Sequence, residues 1–123
     1  AVKVFSDAEE AEIELKIATD IAAEFTGDNQ TPRLWHRIKH LDGQNLEVGV
    51  GSIFLVYEYI DKTLKDAWDR SELSNRDILQ IGIQLIEAAE SIHKSDYVHT
   101  DLKLDNIMIN RQNKVFIIDY GNA

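Results

Sequence analysis

Ser74 opens a polar-to-apolar pattern that runs without a break to about His93, and no other stretch constrains the fold as much. Ile78, Ile81, Leu85, Ala89 and Ile92 recur at spacings of three and four, so the spacing predicts a long amphipathic helix with that apolar face. At 1.5 Å per residue it reaches about 30 Å. Ser74 is its N-cap. A helix this long must bury its stripe, and the sequence supplies partners on both sides. Downstream, residues 107–109 and 115–118 read as two short strands joined by a turn over Asn110 and residues 111–114. Upstream, residues 53–57 form a β-branched and aromatic run that reads as a buried strand.

The first half is organised more loosely. Residues 1–5 read as a strand. Asp7 offers a second helix cap, with acidic residues in the first turn and Ile13, Ile17, Ile21 and Phe25 as the apolar face. Gly27, Asp28 and Asn29 end that helix, and Pro32 keeps it from resuming. Residues 34–41 favour a strand, Asp42-Gly43 a turn, and the alternation of Leu46, Val48 and Val50 another strand or an inserted hairpin. Leu64 to Trp68 predicts a short helix. Trp35 and Trp68 read as packing residues, and His36, His40 and His93 as structural or exposed, with no ligand spacing among them.

Composition narrows the function classes. With 44% apolar and 28% charged residues the chain is of ordinary globular type. Its net charge of −9 argues against a nucleic-acid or anionic-membrane surface. The same charge suits a basic protein substrate, or solubility alone. There is no cysteine, so a disulfide framework and a Cys-based zinc site are excluded, and an intracellular place, cytoplasmic or nuclear, is expected. No apolar run approaches the roughly eighteen residues of a membrane span, and the first residues lack the apolar stretch of a signal peptide. Met108 is the only methionine, which suggests a piece cut from something longer.

The stretch that carries chemistry follows the long helix: His99-Thr100-Asp101-Leu102-Lys103-Leu104-Asp105-Asn106, and thirteen residues after Asn106, Asp119-Tyr120-Gly121. It resembles the protein-kinase catalytic loop H-R-D-x-x-x-x-N and the later D-F-G. Ala1-Val2-Lys3 resembles the V-A-I-K strand, and Leu55 to Ile60 resembles the strand and hinge that hold adenine. His-Thr-Asp, with Asp-Tyr-Gly-Asn-Ala downstream, looks like the SR-protein and LAMMER kinases; Leu104 in place of the usual proline departs from them, and a divergent or viral kinase fits equally.

The resemblance implies an α+β, two-lobed kinase fold represented in part. Residues 1–58 would be a small-lobe piece and 59–123 a large-lobe piece, with the hinge at 58–61. It implies ATP and Mg2+. Asp101 would accept the proton of a protein Ser or Thr hydroxyl, and Lys103 would reach the transferring phosphate. Asn106 and Asp119 would hold the metal, a hard ion that takes oxygen ligands. Lys3 would hold the nucleotide phosphates and pair with Glu14, which shares a face with Ile17, Ala18 and Ile21; Glu12 is the alternative. Backbone groups of Glu58 and Ile60 would bind the purine, and Tyr57 would limit the pocket behind it. His99 would brace the loop, and Gly121 would let the chain turn after the metal ligand. Two rivals remain: a small-molecule phosphotransferase of the aminoglycoside or choline kinase type, and a pseudokinase or decoy that only binds. The 123 residues by themselves are expected to be inactive.

Overall fold

The computed structural model describes residues 1–24, 34–39 and 53–121. The expectations at Phe25, residues 27–29, Pro32, residues 40–43 and 46–50, and the side chains of Trp35, His36 and His40, lie outside the described residues.

Among the described residues, two small antiparallel sheets and three α-helices make an α+β architecture. In the first sheet β1 (Val2–Phe5), β3 (Ile53–Tyr57) and β2 (Leu34–Lys39) lie in the order β1-β3-β2. Lys3 stands opposite Leu55 in the β1–β3 register. The two-residue alternation turns Ile53 and Leu55 to one face, where they form a core with Phe5 and Ala11. Ala11 belongs to α1 (Ala8–Glu24), whose start is capped as expected: the Asp7 carboxylate accepts from the Glu9 N–H at 2.8 Å.

The buried face of α1 is Ala11, Glu14, Ile17 and Ile21. Ile13, expected on the apolar stripe, is 47% exposed. Ile13 and Glu14 lie about 100° apart around the helix, and of the two only Glu14 is buried. The carboxylate goes in because a cation waits for it, and the isoleucine turns out.

The second sheet holds β4 (Lys62–Thr63), β5 (Ile107–Ile109) and β6 (Val115–Ile117) in that order. Asn110 shapes the β5–β6 turn by accepting from the N–H groups of Gln112 and Lys114, and Asn113 takes a left-handed backbone with φ 58°. The short helix α2 (Leu64–Asp69) is capped by Thr63, which accepts from the Asp66 N–H at 3.1 Å. It buries Leu64 and Ala67, while Trp68, expected to pack, is 56% exposed. A helix of six residues has one narrow inner face, and Leu64 and Ala67 fill it.

The long helix α3 spans Asn75–Lys94. Ser74 and Asp77 form a reciprocal capping box, at 3.1 Å and 2.9 Å. Its inner stripe is Ile81, Leu85, Ala88 and Ile92, with Leu85 partly buried. Ile78, expected inside, is 40% exposed, and Ala88 rather than Ala89 is the fully buried alanine. The helix serves two neighbours at once. Ile81 packs with Leu64, Ile107, Ile109 and Val115, and Ala88 and Ile92 pack with Ile17, Ile21, Ile117 and Tyr120. One face meeting both sets the stripe.

Polar contacts tie the β5–β6 hairpin to α3. Gln84 donates to the Asn113 carbonyl at 2.8 Å and accepts from the Val115 N–H at 3.0 Å. The Asn113 amide donates to Asp77 at 2.9 Å.

Candidate active site

Between the two sheets lies a cleft of about 330 Å3 with mostly apolar walls. Lys3, Glu14, Glu58, Ile60, Asn106 and Asp119 all line it, so six of the eight expected site residues face one cavity. Lys3 enters from β1 and Glu14 from α1. Asn106 closes the 3-10 turn Leu104–Asn106 just before β5, and Asp119 follows β6 by two residues. The hairpin returns its ends to one place, and the Ile118 N–H donates to the Asn106 carbonyl at 3.0 Å.

The Lys3 ammonium donates to both oxygens of Glu14, at 2.9 and 2.7 Å, and to Asp119 Oδ1 at 3.1 Å. Glu14 is 3% exposed, and it, rather than Glu12, meets the lysine. Partial burial pulls the Lys3 pKa down, but hydrogen bonds and charge from Glu14 and Asp119 outweigh it and hold the ammonium above its ordinary value.

Asp101 and Lys103 do not line the cleft; Asp101 adjoins it through Asn106, and Lys103 through Asp101. Asn106 Nδ2 donates to the Asp101 carbonyl at 2.9 Å and to its Oδ2 at 3.1 Å, and Lys103 Nζ lies 3.3 Å from the same Oδ2. His99, buried behind them, has Nε2 at 2.9 Å from the Ile118 carbonyl, while Nδ1 takes the Asp101 N–H at 3.3 Å. A carbonyl only accepts, so Nε2 carries the proton and Nδ1 is the acceptor. The ring also meets Tyr120 edge-on, with centroids 5.3 Å apart. One imidazole thus bridges the loop to the end of the hairpin.

The backbone carries strain here. Thr100 and Asp119 have φ of 67° and 64°. Gly121 lies in a turn, as expected, while the left-handed backbone falls on Asp119. A Cβ on Gly121 would meet Asp119 Oδ1 and Glu14 Oε2 at 3.7 and 3.8 Å, ordinary contacts, and its φ is not left-handed.

The donor set fits magnesium. Asn106 spends its amide N–H groups on Asp101, which leaves Oδ1 as the end for a cation, and Asp119 adds a carboxylate. Two oxygen donors suffice for a magnesium ion that completes its shell with phosphate oxygens and water. Among the described residues no group of three or more His, Asp or Glu could hold a metal unaided.

Tyr57 lines the cleft, and burial, then the Glu14 charge, pushes its pKa up to about 12, so it stays neutral. Met108 and Ile118 line the cleft as well, unforeseen in the sequence. The alternation of β5 was a usable signal, because Met108 must face away from buried Ile107 and Ile109.

Residues 36–123 match the protein kinase domain family. Cell division control protein 2 homolog 3 of Trypanosoma brucei brucei is 35% identical over 75 residues, covering 59% of this chain and 24% of that protein. Cyclin-dependent kinase 12 of Drosophila melanogaster is 35% identical over 78 residues, 59% of this chain and 6% of that protein. Serine/threonine-protein kinase 1 of Lymantria dispar multicapsid nuclear polyhedrosis virus is 38% identical over 69 residues, 54% of this chain and 25% of that protein. The chain therefore spans a quarter or less of each. Lys3 and Glu14 precede the matched residues, and their pairing stands on geometry alone. The catalytic-loop and Asp-Tyr-Gly motifs fall inside the match, and the chain belongs to the protein kinase domain family.

Proposed function

We propose that this chain carries the catalytic centre of a Ser/Thr protein kinase, which transfers the γ-phosphoryl group of ATP to a protein hydroxyl. The observation that carries the reading is the convergence of the Lys3–Glu14–Asp119 ion pairs and the Asn106–Asp101 contact on one cleft. Phosphoryl transfer is mostly positioning and charge stabilisation, and this arrangement supplies both.

Asp101 takes the substrate proton. Its two side-chain contacts fall on Oδ2, which leaves Oδ1 to accept. Lys103 sits beside that carboxylate and reaches the transferring phosphate. Lys3, braced by Glu14, holds the inner phosphates. Glu58 and Ile60 present backbone groups to the adenine, and Tyr57 limits the depth of its pocket. Asn106 and Asp119 hold magnesium, which when bound neutralises charge on the phosphate oxygens.

Residues 1–58 form the small-lobe piece and 59–123 the large-lobe piece in this reading, with a protein substrate, basic in character, at the mouth. We place the reaction inside the cell, in cytoplasm or nucleus. No described helix is long and apolar enough to cross a membrane. Lys103 beside Asp101 supports a protein kinase over a small-molecule phosphotransferase.

The test is transfer of radiolabel from ATP, by the complete protein, to a basic protein such as histone, to choline and to an aminoglycoside. Magnesium-dependent phosphoserine or phosphothreonine is expected. Label on the small molecules alone, or on nothing, would overturn the reading.

A further inference from the structure

Away from the cleft, the second half of α1 is tied to the segment that leads into the catalytic loop. The Tyr97 hydroxyl donates to Asp20 Oδ2 at 2.9 Å, across 77 positions of sequence. Lys16 meets the same oxygen at 2.6 Å, so Asp20 is already oriented when the hydroxyl reaches it. Tyr97 is fixed in turn. Its N–H bonds the Ile92 carbonyl at the end of α3, Asp96 before it is left-handed at φ 63°, and its ring packs against the Ile17, Ile21, Ala88 and Ile92 core. Two residues later comes His99, which bonds Asp101.

We infer that Tyr97 is a positioning residue, which through Asp20 fixes α1 so that Glu14 meets Lys3. The proposal rests on the kinase reading for its nucleotide readout. Glu14 and Asp20 are six residues apart, about 9 Å along the helix axis. The helix is thereby held at two points, by Lys3 from β1 and by Tyr97 from the catalytic-loop side. Releasing the second leaves α1 held on that side by its packing against the Ile17, Ile21, Ala88 and Ile92 core, without a directional bond to fix its rotation. The Lys3–Glu14 bond is then made in only part of the population.

The experiment uses the complete protein, with magnesium–ATP as the calorimetric probe. Tyr97→Phe and Asp20→Ala should each weaken binding about three- to tenfold, the worth of one hydrogen bond. Asp20→Asn keeps an oxygen for the hydroxyl and should stay near wild type. In a Glu14→Gln background Tyr97→Phe should cost almost nothing further, since its route runs through Glu14. Losses that multiply in that double variant, or a Tyr97→Phe protein that binds like wild type, would overturn the proposal. If the wild type binds no magnesium–ATP, the kinase reading falls and amide exchange decides the lock. Tyr97→Phe must then speed exchange in α1 about three- to tenfold relative to α3. Unchanged exchange in α1 would overturn it.

Discussion

The Lys3 ammonium grips both carboxylate oxygens of Glu14, at 2.9 and 2.7 Å, and so joins β1 to α1 in the wall of the cleft. Glu14 is buried and Lys3 only half so. Removing the cation therefore strands a carboxylate away from water. Lys3→Met should lower the unfolding free energy by about 1–3 kcal/mol and abolish tight magnesium–ATP binding. The double variant Lys3→Met with Glu14→Gln should regain part of the stability and none of the binding. Denaturant titration and calorimetry read the two effects separately. A single variant as stable as wild type would mean the pair contributes nothing.

Tyr120 presents the opposite case. Its ring is buried among Ile17, Ile21, Ala88, Ile92 and Ile117, and its hydroxyl has no hydrogen-bond partner among the described residues. Burial pushes its pKa up, so it remains a neutral phenol. Tyr120→Phe keeps the ring contact with His99 and removes an unsatisfied polar group, which should stabilise the protein by about 1–3 kcal/mol. Thermal unfolding checks this, and a drop in stability would show that the hydroxyl has a partner after all.

Legibility in the sequence differed from element to element. The Ser74 cap, the Asn110 turn, the β3 run and the spacing of Asp101, Asn106 and Asp119 are local patterns, and local patterns read directly. The facing of α1 was half legible. Isoleucine spacing pointed to Ile13, and only the kinase resemblance pointed to Glu14. A buried carboxylate is decided by its partner on another element, which periodicity does not contain. Ile78 and Trp68 failed for a related reason, since hydrophobicity says that a residue prefers burial and not that a neighbour exists to bury it. The Tyr97–Asp20 bond left no trace in a single sequence.

The pH dependence follows from two groups. Lys3 has its pKa raised above 10.5, so its contribution is complete below that value and is lost as pH rises through the raised one. Asp77 has its pKa lowered below 3.8, first by the Ser74 N–H, then by the Ser74 hydroxyl and the Asn113 amide. Its contribution is complete above 3.8 and is lost as pH falls through the lowered value. The stability gap between wild type and Asp77→Ala should be flat through neutral pH and close in acid. Melts across the acid range measure it. A gap that persists with the carboxyl protonated would assign the cap to packing instead.

Gln84 pins the turn end of the hairpin whose other end carries Asn106 and Asp119. Gln84→Ala leaves the Val115 N–H, in a fully buried strand residue, without its acceptor. A loss of about 1–3 kcal/mol is expected in denaturant unfolding. Gln84→Glu keeps that acceptor but gives up the donation to the Asn113 carbonyl, so it should lose less. Equal losses in both would place the weight on the Asn113 contact.

Asp101 carries the central claim, and the Asn106 amide and Lys103 ammonium both converge on its Oδ2. Asp101→Asn preserves size and most of those contacts and removes the proton acceptor. The decisive measurement is single-turnover phosphoryl transfer by the complete protein beside magnesium–ATP affinity of the same preparation. The expected result is affinity within a few-fold of wild type and transfer slowed by about a hundred- to ten-thousandfold. An Asp101→Asn protein that transfers phosphate at the wild-type rate would contradict it.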